Sequence, residues 1–274
     1  MKMKRSEKLG MFTGLVVGVL LLLISVFMIF QTTCKVWGAE KPANATQQGI
    51  DVSSHQGKID WEQVKNSALA DYAIIRCGYG VNQTDKDDKY WDYNSSECER
   101  LGIPYGTYLY SGADTTAKAK SEAEHVVRLL QGKNLTYPIY YDMEADMLNQ
   151  LSSTQIGNIA KTFLNTMESY GYKNVAVYSN KYLFETKLTA SVFSDYPKWI
   201  AQHSNKCTYQ GSYHMWQYST QGVIPGISEK VDLNYKIGNW TYAGYSSAKK
   251  TVVVKPKATT IKSLRKSGKK AVKI

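Results

Sequence analysis

The apolar pattern of the chain changes period twice. From Met11 to Phe30 twenty residues, MFTGLVVGVLLLLISVFMIF, carry no charge, and about twenty apolar residues are what a helix rising 1.5 Å per residue needs to cross a hydrocarbon core. Lys2, Lys4, Arg5 and Lys8 precede this stretch, so the positive-inside rule puts residues 1–10 in the cytoplasm and the chain beyond Lys35 outside. A cleaved signal peptide, cut near Ala39, would share that charged start. Its apolar core runs to roughly 7–15 residues, so an uncleaved single span is the preferred expectation. In either case the chain after a linker at 31–47 lies outside the cytoplasm.

Beyond the linker, short β-rich runs alternate with helical patterns. The runs are 49–54, 72–78, 105–111, 138–144, 175–180, 198–203, 214–219 and 230–236. Helical periodicity predicts helices over 61–70, near 87–101, and over 117–132, 154–171 and 180–188. Asp60 with Gln63 marks the start of the first, and Gly102, Gly132 and Gly171 follow the ends of the next three. Strands separated by helices imply right-handed crossovers and a parallel sheet. Eight strands in such a span predict an α/β fold, an irregular TIM-like β/α barrel over 48–243 with about five β/α units and three further strands. An open doubly wound sheet is the structural alternative.

Charge sharpens this picture. The chain of 274 residues has a formal net charge of +11, but residues 1–10, Lys35 and the lysine-rich tail 249–274 together carry +14 and leave −3 for residues 36–248. A mildly acidic body is the wrong surface for tracking phosphates, so no nucleic-acid partner is expected. At 43% hydrophobic and 12% aromatic residues the body can bury a sizeable core. The tail, 244–274, reads as a basic extension that resembles the opening strands of wall-associated fibronectin-like repeats but is too short to form such a domain.

In a β/α barrel, chemistry sits at the C-terminal ends of the strands. Asp51 lies in the first run, Asp142 and Glu144 end the fourth, and Asp232 lies in the eighth. Side chains alternate along a strand, so Asp142 and Glu144 share a face and both can enter the barrel mouth. Converging carboxyls are what glycoside hydrolysis uses: crowding raises the proton affinity of one, giving a neutral acid beside an ionised partner. Metal binding by Asp142, Glu144, Asp146 and His55 is weaker, because no HxH, HxxxH or EF-hand-type spacing supports it. The expected cofactor set is empty. Four cysteines are too few and scattered for a disulfide framework. An oxidising exterior would still permit Cys77 at the end of one strand to bridge Cys98 in the next helix.

The motifs GIDVSSHQGKIDW (49–61), AIIRCGYG (73–80), GIPYGTYLYS (102–111), YYDMEAD (140–146), WIAQH (199–203), MWQYS (215–219) and VDLN (231–234) resemble, in order, those of the glycoside hydrolase family 25 lysozymes, the Chalaropsis-type muramidases. The resemblance implies an irregular barrel without metal or cofactor that hydrolyses the β-1,4 bond between N-acetylmuramic acid and N-acetylglucosamine in peptidoglycan. It implies Glu144 as general acid, Asp142 as the carboxylate that supports an oxazolinium ion or activates water, and Asp51 and Asp232 as flanking aspartates. Twenty-one Tyr and six Trp suggest sugar stacking, with Tyr79, Tyr110, Tyr178, Trp216 and Gln217 at strand ends as substrate-binding candidates. Glycan strands, and a membrane through the N-terminal helix, are the expected partners of a monomer. A membrane-tethered wall-binding module without turnover is the alternative; its signature, loss of an acid, is absent. A wall amidase or endopeptidase would need a zinc constellation or a Cys/His pair, and the four His show no ligand spacing.

Overall fold

A computed structural model describes residues 39–241 together with Gly18. The expected span at 11–30, apart from Gly18, and the basic tail lie outside the described residues. Among those described, no helix is long and apolar enough to cross a membrane.

All eight expected strands form: β1 (Ala45–Val52), β2 (Tyr72–Tyr79), β3 (Tyr105–Tyr110), β4 (Ile139–Asp142), β5 (Val175–Asn180), β6 (Lys198–Ala201), β7 (Met215–Gly222) and β8 (Val231–Ile237). They close in sequence order into a barrel. Helices α1 (Trp61–Ser67), α2 (Trp91–Leu101), α3 (Thr116–Leu129), α4 (Ser153–Ser169), α5 (Lys181–Thr186) and α6 (Val192–Asp195) fill the first five connections. The Asp60 carboxylate caps α1, accepting from Gln63 N at 3.1 Å. Gly102 ends α2 at φ +67°, in the left-handed region that a Cβ disfavours.

The parallel expectation fails at the last strand. β1 to β7 run parallel, whereas β8 is antiparallel to both β7 and β1. The connection 223–230 explains this: a parallel crossover needs about a dozen residues or more, and a shorter link can only turn the chain back as a hairpin. β1 also begins at Ala45, three residues before the expected start of the barrel, because Ala45–Asp51 finds partners along β8.

Alternation along the strands decides what faces inward. Tyr72, Ile74, Tyr140, Ala176, Tyr178, Trp199, Ala201 and Met215 pack into one buried cluster joined by Tyr137 and, partly, Tyr108 and Trp240. Trp199 sits against Tyr140 and Tyr178, with ring centroids 4.9 and 4.4 Å apart, and each such pair adds about 0.5–1.5 kcal/mol beyond area burial. Tyr72, Tyr137, Tyr140, Tyr178 and Trp199 therefore fill the barrel and are not free to stack on a sugar. The intervening residues face the helices, as where Tyr141 stacks on Phe163 of α4 at 3.9 Å.

Cys77 and Cys98 do not form the expected bridge. Both are free and buried, and the Cys77 thiol donates to Tyr108 O at 3.3 Å. Burial pushes Cys77 up to about 12 and raises Cys98 as well.

The β7–β8 link docks on α1 through Gly226, whose carbonyl accepts from Asp60 N at 2.9 Å. Its φ is +92°, and a Cβ there would collide with the Asp60 carbonyl oxygen. Gly226→Ala should cost about 2 kcal/mol, strain and clash together, read as a lower urea midpoint at unchanged slope. An unchanged midpoint would mean the link is not held as described.

Candidate active site

The register gathers the four acids at one end of the barrel. Asp51 is paired with Asp232 across the β1–β8 ladder. Because β8 runs backwards, Asp232 reaches the C-terminal end of β1 from the start of its own strand. Asp142, the last residue of β4, is flanked by Tyr110 on β3 and Tyr178 on β5. Glu144 follows two residues later, beyond the fully buried Met143. The loop carrying them is tied down, with Met143 N donating to Tyr178 O at 2.9 Å and Ser111 N to Asp142 O at 2.9 Å.

Asp142 is only 2% exposed, and its buried Oδ1 has no hydrogen-bond partner. Burial, then the charges of Glu144 and Asp51, hold its carboxyl well above the usual range; Arg76 opposes them. Arg76 is itself fixed, donating from Nε to Asp88 Oδ2 at 2.8 Å and from Nη2 to Ser54 Oγ at 2.9 Å. Asp88 also accepts from Ser54 N and Tyr90 N, both at 2.9 Å. One buried ion pair thus locks the β1–α1 and β2–α2 loops beside the acids.

Glu144 is raised by burial first and by Asp51 second, with His203 and a hydrogen bond to Tyr178 pulling it down. Asp51 is raised by burial and by Asp232, and Asp232 is raised mainly by burial; the two carboxyls lie within hydrogen-bond reach. Like charges this close oppose each other's ionisation, which raises the proton affinity of the pair. Two amides feed the same oxygen of Asp51: Asn234 Nδ2 donates to Oδ2 at 2.7 Å and Gln217 Nε2 at 3.0 Å.

Glu122 on α3 is fully buried. It accepts from Ser111 Oγ at 2.9 Å, Gly112 N at 2.8 Å and Tyr141 OH at 2.6 Å, pinning the β3–α3 loop next to Asp142.

Of the five residues expected to bind substrate, two line the opening. Tyr79 is 40% exposed, Tyr110 36%, and they are lateral partners in the β2–β3 ladder. Tyr178 and Gln217 lie deeper, their polar groups bonded to each other at 3.0 Å, so they form the floor under the acids. Trp216 is displaced altogether. It falls between inward-facing Met215 and Gln217, so alternation turns it outward, where Nε1 donates to Gln202 O at 2.9 Å. Arg76, Glu122, Trp199, His203 and Asn234 had no place in the sequence-based site. For all but Glu122 their positions in the quoted motifs, and strand alternation for Asn234, were the available signal; Glu122 lies in none of those motifs. Among the described residues, no three His, Cys, Asp or Glu converge to hold a metal ion.

The family model described as glycosyl hydrolases family 25 matches residues 50–227, well over half of the chain. The chain belongs to glycosyl hydrolase family 25. The family 25 match includes Asp51, Asp142 and Glu144 and stops short of Asp232, which the β1–β8 register brings to them. The autolytic lysozyme of Clostridium acetobutylicum is 30% identical over 188 residues, covering 68% of this chain and 55% of that protein. The modular autolysin LytC of Streptococcus pneumoniae superposes with a TM-score of 0.63 at 33% identity, over 69% of this chain and 46% of LytC. The chain therefore spans about half the length of these two relatives. A family 25 glycosyl hydrolase of Bacillus anthracis, at 20% identity, shares the fold over 74% of this chain and 94% of its own, with a TM-score of 0.64.

Proposed function

We propose that this family 25 barrel is a muramidase that hydrolyses the β-1,4 bond between N-acetylmuramic acid and N-acetylglucosamine in peptidoglycan. The observation that carries the reading is the convergence of Asp51, Asp142, Glu144 and Asp232 at the barrel mouth, with Glu144 raised towards a neutral acid. The names of its relatives, a lysozyme and an autolysin, agree, and LytC has been solved with a synthetic peptidoglycan ligand.

Glu144 gives its proton to the leaving sugar oxygen as the glycosidic C–O bond breaks. Asp142 offers its unpartnered Oδ1 to the N–H of the substrate's own acetamido group. That contact orients the acetamido oxygen onto the anomeric carbon, and the bond formed there yields an oxazolinium ion. Water then attacks the same carbon and returns a proton to Glu144. Two displacements retain the β configuration. The bonded pair of buried Asp51 and half-buried Asp232 steadies the charge balance beside both acids, and Tyr79 and Tyr110 offer ring faces to the glycan at the rim.

Digested peptidoglycan tests this directly. New reducing muramic ends, appearing first as the β anomer by NMR, are expected. Freed amines, or no products, would overturn the hydrolase reading, and a first-formed α anomer would replace the oxazolinium with direct inversion. The wall-binding module is disfavoured by the complete acid set. The uncharged stretch 11–30 behind a basic cluster supports a single span that keeps a monomeric barrel at the outer membrane surface. Recovery of the protein in the membrane fraction is the expected result; a secreted form starting near Ala39 would mean cleavage.

A further inference from the structure

His203 lies outside the four acids, in the β6–β7 connection, yet it touches their support. Its Nε2 is 2.9 Å from Gln217 Oε1, and the same oxygen accepts from Tyr178 OH at 3.0 Å. The other end of the Gln217 amide donates to Asp51 Oδ2 at 3.0 Å and reaches Asp232 Oδ2 at 3.4 Å. Carboxylate oxygens only accept, so the amide nitrogen must face the acids and its oxygen must face His203. His203 Nε2 therefore carries a proton. A second amide is set in the same sense: the Trp199 indole can only donate, does so to Asn234 Oδ1 at 2.8 Å, and leaves Asn234 Nδ2 for Asp51 Oδ2. Both amides converge on one oxygen of Asp51.

We propose that His203 is a positioning residue of the reaction, which through Gln217 holds the Asp51–Asp232 pair in place beside Glu144. The inference rests on the hydrolase reading and adds a residue to it. The acids hold the Gln217 amide from one side, while Tyr178 OH, which can donate or accept, does not fix it from the other. His203 makes turning the amide over costly by facing the amide nitrogen with its own N–H. The groups around Glu144 are Asp142 from β4, Asp51 from β1, Asp232 from β8, Tyr178 from β5 and Tyr110 from β3, with Arg76 of β2 acting on Asp142. His203 opposes the acids on Glu144, so its loss moves Glu144 further up.

The test compares wild type, His203→Phe and His203→Gln on soluble glycan fragments across pH, with melting temperature as a check on folding. His203→Phe should lose on the order of tenfold to a hundredfold in kcat, because a small misplacement of a catalytic group is costly, with KM little changed. The alkaline limb of kcat/KM should move to higher pH as Glu144 holds its proton longer. His203→Gln keeps an N–H donor and should recover most of kcat. Gln217→Met should reproduce the kcat loss, and the double variant His203→Phe/Gln217→Met should lose no more kcat than Gln217→Met alone, because the two act in series. A uniform loss at every pH with no rescue by Gln, or additive losses in the double variant, would overturn the proposal. An inactive wild type would instead remove the hydrolase reading.

Discussion

Glu144→Gln is expected to lower the release of reducing ends from peptidoglycan by about 10²–10⁴-fold, the contribution of a positioned general acid. An amide of the same shape keeps the packing around Met143 and Tyr178 but has no proton to give to the leaving oxygen. The melting temperature should stay equal to that of the wild type or rise, because the variant no longer buries a group whose charged form is penalised. Rates within a few-fold of wild type would transfer the acid role to another carboxyl, with the buried Asp142 next in line.

Asp142→Asn carries the second large effect, and it separates function from stability. The variant presents an N–H where the substrate's acetamido N–H needs an acceptor, so kcat should fall by about 10²–10³-fold, as when one preorganised transition-state contact is lost. Stability should change in the opposite direction. The folded carboxyl is raised well above its unfolded value by burial. Its contribution to stability is therefore complete below the unfolded value and is lost as pH rises through the folded one. The melting temperatures of variant and wild type should coincide in acid, and the variant should lead by about 3 °C or more near neutrality. In wild type, substrate binding gives Oδ1 a donor and favours the charged form, so the acid limb of kcat should lie below that of kcat/KM. Coinciding limbs, or a variant less stable at neutral pH, would mean that Asp142 does not meet the acetamido group as an unpartnered acceptor.

Trp216 and Gln217 show how far residue order carries a reading of the site. Both belong to one motif on one strand, and their chemistry recommended both as sugar contacts. A single step along β7 sends Trp216 out towards Gln202 and Gln217 in towards Asp51. Alternation was visible in the string; its phase was not, because phase depends on which neighbours the strand pairs with. Cys77 and Cys98 make the same point for adjacency, since both are buried and neither bridges.

By itself the sequence determined the eight strands, the five helix-bearing connections, and the acids Asp51, Asp142 and Glu144, because local periodicity and motif order are properties of the chain. Asp232 was named as well, but on a parallel strand its place near the start of β8 would have put it at the wrong end of the barrel. Only the tertiary structure reversed β8, since a link too short for a crossover closes the barrel as a hairpin and lays Asp232 against Asp51. It alone decided that Asn234, Gln217 and His203 support that pair. These hydrogen bonds join residues 14 to 183 positions apart, and donors so distant meet only when the sheet has closed.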